Sequence, residues 1–212
     1  MDPRFFHDGA TAPSARRERV VMAEKGLEME TRQVDLRNDG HRAPEFLALN
    51  QHGTVPVLTT DEGLNLTENI AIAGYLEAMN PGPPLMGTTP DEKGAVLMWN
   101  AICEFHGGMS IAETLRNASP ALKGRALPGA VNYDQIPELA ERGAKRLQLF
   151  YATLEQRLQD SPWLAGDSFT MADIAGYVFC DFARIVKMTP PDENTATQAW
   201  LAKIAARPSA QA

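Results

Sequence analysis

Residues 80–84 read Asn-Pro-Gly-Pro-Pro, and no helix or central strand can run through them. Proline lacks a backbone donor and its ring blocks the preceding helical turn, so this cluster forces a break. It divides the 212-residue chain into two unlike parts. Upstream, strand and helix patterns alternate. Phe5 and Phe6 mark a short strand, Pro13 and Ser14 stand where a helix begins, and Gly26 stands where it stops. Residues 28–36 read as a second strand, Asn38-Asp39-Gly40 as a turn, and residues 44–49 as a short helix opened by Pro44. Val55-Pro56-Val-Leu is an apolar strand whose proline marks an edge or a fixed bend. A turn at Asp61-Glu-Gly63 and a second short strand follow. Ile72, Tyr75, Leu76 and Met79 then fall at i, i+3, i+4 and i+7, giving a helix one apolar face. This alternation predicts a small α/β sheet with helices packed on it.

Downstream the period is helical throughout. Ala95, Met98, Trp99, Ile102, Phe105 and Met109 form one stripe, and Ile136, Leu139, Gly143, Leu147, Phe150, Leu154 and Leu158 form another. Residues 171–186 and 197–206 supply two further helices, while residues 117–133, rich in Pro and Gly, read as an extended surface loop. The expected organisation is an α/β domain over residues 1–80, a linker over 81–90 and an all-α domain over 91–212. Within the latter, Thr170-Met-Ala-Asp173 is a capping box, with Phe169 and Ile174 placed as a staple. Asp173 therefore reads as structural.

Charge and cysteine content exclude several functions. A net charge of −7 argues against nucleic-acid or anionic-membrane partners, which require a basic face. Cys103 and Cys180 lie far apart in apolar helical patterns and read as small buried hydrophobes. No apolar run approaches the ~20 residues that span a bilayer, and no signal-peptide pattern opens the chain, so a cytoplasmic location is expected. His7, His41, His52 and His106 lack ligand spacing, so no metal is expected. Glu68 and Asn69 fall in a helix's first turn, beside unpaired N–H groups. That arrangement suits a zwitterionic amino-acid head group, its carboxylate on the N–H groups and its ammonium on Glu68.

Taken together, Ala23-Glu-Lys-Gly-Leu27, Pro44-Glu-Phe-Leu47, Val55 to Leu58, Thr67-Glu-Asn-Ile-Ala-Ile72, the linker, the Thr170–Asp173 box and Arg207-Pro-Ser-Ala resemble the cytosolic glutathione transferase superfamily, in order along the whole chain. The resemblance implies a thioredoxin-like domain followed by an all-helical one, glutathione as cosubstrate without a metal, and a homodimer. It places Pro56 at the family's cis-proline, with Val55 pairing along the cysteinyl part of glutathione. Glu68 and Asn69 match the pair that hold the γ-glutamyl group; the usual second residue is Ser. His41 and Arg42 fall where a residue for the glycyl carboxylate is placed. Thr54 replaces the common Gln or Lys and offers a weaker contact. No Tyr or Cys occupies the loop before the first helix, so the active site resembles the serine-type classes. Ser14 is the candidate hydroxyl for activating the thiol and Thr11 competes with it, the register between them being open. Phe105, His106, Met109 and Arg116 are candidates for the electrophile site. Two functions follow: conjugation of the glutathione thiolate to a small apolar electrophile, or a non-catalytic glutathione-binding or protein-interaction module of the same fold.

Overall fold

The computed structural model describes residues 4–212. Strand β1 (Phe5–Asp8) lies inside a four-stranded sheet of order β2-β1-β3-β4. It runs parallel to β2 (Glu30–Gln33) and antiparallel to β3 (Val57–Thr59), which pairs antiparallel with β4 (Asn65–Leu66). A parallel pair needs a crossover, and helix α1 (Pro13–Glu24) supplies it. Helix α2 (Pro44–Leu47) is a single turn, and α3 (Asn69–Met79) closes this thioredoxin-like half. Phe6, Val20, Val21, Leu58, Ile72 and Leu76 form its core.

That core continues across the break to Leu85, Val96, Met171, Ile174 and Val178, so the two halves share one apolar interior. Lys25 anchors the linker. Its buried ammonium donates to the carbonyls of Asn80 (2.7 Å) and Pro83 (3.0 Å) and pairs with Glu77 at 2.6 Å. Burying an ammonium is unfavourable unless every donor is used, and here three acceptors meet it.

Helix α4 (Pro90–Ile102), a π-helical turn (Cys103–Gly108) and α5 (Met109–Ala118) make one continuous rod. The stripe expected along it is not one face. Val96, Trp99 and Cys103 are buried and Met98 is exposed within α4, and the π turn then rotates the face so that Phe105 and Met109 are exposed as well. Gly107 and Gly108 permit this: a Cβ on either would stand 2.8 Å from the ring of Phe150 or 2.5 Å from that of Phe179. Helix α6 (Pro137–Asp160) packs on α5 and α8 (Thr195–Ala205) and buries Leu147, Phe150, Leu154 and Leu158 in a second core to which α7 (Met171–Phe182) also contributes. Both cysteines are buried in this second core, and burial pushes both thiols up. No helix among the described residues is long and apolar enough to cross a membrane.

Asp173 Oδ2 accepts from the N–H and hydroxyl of Thr170, and Oδ1 accepts from Leu164 N (2.9 Å) and Trp200 Nε1 (3.0 Å). The expected cap thus also joins three segments. A turn at Pro208–Gln211 returns to α1, where Glu24 accepts from Nε and Nη2 of Arg207 and from the hydroxyl of Ser209. These bonds hold the Glu24 carboxyl below its ordinary pKa.

Residues 117–133 differ from the extended surface loop expected. Helix α5 runs to Ala118, and the segment after it crosses onto the sheet-bearing half. Arg42 Nη2 donates to Ala130 O and Asn132 Oδ1, both at 2.7 Å; Ala130 N donates to His52 O at 3.0 Å; Arg125 pairs with Asp39 at 2.5 Å. A Cβ on Gly53 would lie 3.0 Å from Ala130 N, so this strap depends on a missing side chain.

Candidate active site at two helix starts

Helix α1 begins after Ala12, whose backbone is extended and offers no capping side chain. Pro13 takes the first helical position, where its fixed φ suits the helix and no N–H is missed. Ser14 comes second, half-buried, and its hydroxyl makes no hydrogen bond among the described residues. The N–H groups of Ser14 and Ala15 likewise meet no main-chain acceptor, the first bond of the helix being Arg16 N to Ala12 O. Thr11 is exposed in the preceding turn. Gly9 lets this loop approach the strand loop opposite, since a Cβ there would stand 2.7 Å from Val55 Cγ2.

The Val55–Pro56 peptide is cis. Val55 is half-buried and precedes β3, and neither its N–H nor its carbonyl has a main-chain partner. An extended ligand can pair there as a strand would. Thr54 is engaged elsewhere, its carbonyl and hydroxyl both accepting from Asn50 Nδ2 at 2.9 Å.

Helix α3 starts with Glu68 as N-cap, extended and exposed, its carboxylate unpaired among the described residues. Asn69 and Ile70 present N–H groups with no main-chain acceptor. The Asn69 side chain turns inward instead. Its Nδ2 donates to Ser14 O (2.6 Å) and Glu18 Oε1 (2.7 Å), and its Oδ1 accepts from Arg17 Nη2 at 2.7 Å. One amide therefore ties the start of α3 to the start of α1. Arg17 continues the chain of contacts, pairing with Glu104 of the π turn at 2.7 Å and lying 4.8 Å from the Phe179 ring centroid. Burial pushes the Glu18 carboxyl up to about 8 against the pull of Asn69 and Arg17.

The other candidates separate from this core. Arg42 is committed to the strap, and His41, in the Gly40–Arg42 turn, is half-buried with Nδ1 unpartnered and its pKa lowered by burial. Phe105, His106 and Met109 are exposed on the π turn and the start of α5, Phe105 lying under the guanidinium of Arg146 at 4.9 Å. Arg116 donates to Arg125 O and so belongs to the strap's base.

A groove of about 260 Å³ opens beside Thr11 and Pro13, walled by Val178, Phe182 and Ile185 and floored by the Arg16–Asp181 pair at 2.5 Å. The sequence reading missed those walls. Their spacing of i, i+4 and i+7 reads as core, and only the 55% exposure of Ile185 distinguishes them. Glu18, Arg17 and Glu104 were missed too, since their contacts join positions 51 and 87 residues apart. A larger cavity, about 350 Å³ between Tyr151 and Asn194, is lined by no residue of either helix start.

Family models agree with this arrangement. The glutathione S-transferase N-terminal domain matches residues 11–79, and the glutathione S-transferase C-terminal domain matches residues 120–208. Glutathione S-transferase 2 of Saccharomyces cerevisiae is 34% identical over 207 residues, covering 97% of this chain and 87% of its own. Glutathione S-transferase F10 of Arabidopsis thaliana is 32% identical, covering 92% and 88%. Among solved structures, Gtt2 from Saccharomyces cerevisiae superposes with a TM-score of 0.89 at 33% identity, covering 98% of both chains. The chain belongs to the glutathione S-transferase family.

Proposed function

We propose that the chain binds glutathione across the starts of α1 and α3 and joins its sulfur to a small apolar electrophile. The observation that carries this reading is the pair of helix N-termini tied together by Asn69, each with free N–H groups, beside the unpaired carboxylate of Glu68. Glutathione presents a matching set of charges. Its γ-glutamyl carboxylate suits the N–H groups of Asn69 and Ile70, and its ammonium suits Glu68. Its cysteinyl unit pairs with the main chain of Val55, which carries the sulfur towards Ser14.

Chemistry then requires the thiolate, of which a thiol of pKa about 8.5 supplies only a few per cent at neutral pH. The Ser14 hydroxyl and the first N–H groups of α1 donate to the anion and lower its pKa. The thiol proton leaves to solvent, and a sulfur lone pair forms the new S–C bond. In a substitution the leaving group departs with its bonding electrons; in an addition the electrophile takes a proton. The groove beside Thr11 seats the electrophile, Phe182 and Ile185 contacting its apolar body.

Calorimetric titration with glutathione, followed by turnover with an aryl halide, tests the reading. Ser14→Ala should lower the rate about tenfold near neutral pH and move its alkaline rise about one pH unit upward. An unchanged profile for Ser14→Ala with turnover abolished in Thr11→Ala would transfer the role to Thr11. Absence of binding at millimolar glutathione would overturn the proposal.

A further inference from the structure

Beneath the site lies a carboxyl that the mechanism above does not use. Glu18 stands one turn after Ser14 on α1 and is wholly shielded from solvent. Its Oε1 accepts from Asn69 Nδ2, while Oε2 is buried with no partner. From α1 itself Arg17 faces it, from the π turn Glu104, and from α3 only the neutral amide of Asn69. The charges that α7 and the C-terminal turn bring to α1, Asp181 and Arg207, are paired with Arg16 and Glu24. Arg17 does not neutralise Glu18 alone, since its two terminal nitrogens serve Glu104 and Asn69.

A buried carboxylate with one bare oxygen favours holding a proton over holding a charge. We propose that Glu18 is a positioning residue of the glutathione site that works as the neutral acid, fixing Asn69 between the starts of α1 and α3, and that its ionisation weakens thiolate binding. This rests on the glutathione reading above. As an acid, Glu18 holds Asn69 without placing negative charge under the helix start that receives the sulfur. When its proton leaves to solvent, an anion appears beneath that start. Glu18 is wholly shielded from solvent, so the repulsion is poorly screened. By reciprocity, a bound thiolate must make Glu18 harder to ionise.

The test compares glutathione affinity in the full-length protein and in Glu18→Gln, whose amide copies the neutral acid. The wild-type to variant ratio of Kd should be close to one near about pH 6 and should rise about tenfold by about pH 9. Loss of the ligand's own ammonium charge affects both proteins and cancels in the ratio. A constant ratio across this range, whatever its value, marks Glu18 as merely structural and overturns the inference. Failure of the wild-type protein to bind at the acidic end is a different result: it removes the glutathione reading and this inference with it. Carbon-13 NMR of glutamate-labelled wild-type protein needs no variant. One carboxyl should titrate near 8, moving higher with saturating glutathione. Finding every glutamate titrating in the ordinary carboxylate range, or a Glu18 midpoint that glutathione leaves in place, would overturn the inference equally.

Discussion

Glu18 and Asp173 are both completely shielded from water, yet they are solved in opposite ways. Asp173 receives four hydrogen bonds, two on each oxygen, from Thr170, Leu164 and Trp200. Glu18 receives one, and its second oxygen has no hydrogen-bond partner. Burial pushes both carboxyls up, but at Asp173 the four donors pull against it. Full partnering makes a carboxylate part of the scaffold, because its loss strands several buried donors at once. Sparse partnering leaves the charge state open, and an open charge state serves a ligand site.

The contrast is broken most directly at Asp173. Asp173→Ala leaves three N–H donors and a hydroxyl buried without an acceptor, and urea unfolding should show a loss of about 4 kcal/mol. A loss as small as that of a typical surface change would mean that the two acids do not differ as described. The next effect is a slope. The folded protein holds the Glu18 proton until pH rises to about 8, whereas the unfolded chain releases it near the ordinary carboxyl value of 4.5. Its proton-linked stability is therefore fully present below the lower value and is lost as pH climbs to the upper one, by a few kcal/mol. Urea midpoints measured across that window should fall for the wild-type protein relative to Glu18→Gln, and matching slopes would remove the distinction. Thr170→Ala is the mildest probe. It deletes one of the four donors to Asp173 and should lower stability by about 1 kcal/mol in thermal melting.

These two acids also show what a sequence discloses. The box around Asp173 is local: Thr170, Asp173, Phe169 and Ile174 stand at fixed offsets, so backbone geometry alone dictates their roles. The break at residues 80–84, the Val55–Pro56 bend and the helix start at Glu68 were legible for the same reason. Glu18 was not, because its burial depends on Asn69, 51 residues away, and on the approach of the π turn. The strap was hidden likewise. Its prolines and glycines signal an irregular path, but its landing place is set by Arg42 and by the bare backbone at Gly53. Phe105 and Met109 matched the helical period and still face outward, since a π turn shifts the phase at a point that periodicity does not mark.

The Glu24–Arg207 contact bears on the order in which the molecule assembles. Its partners lie 183 residues apart, so one flank of the first helix stays uncovered until the segment around Arg207 has emerged from the ribosome. The sheet and α3 can gather beforehand, but the helix that carries Ser14 acquires this clamp only once Arg207 and Ser209 are in place. A nascent chain therefore carries an unfinished pocket, and the appearance of ligand affinity would report the arrival of the C-terminal turn.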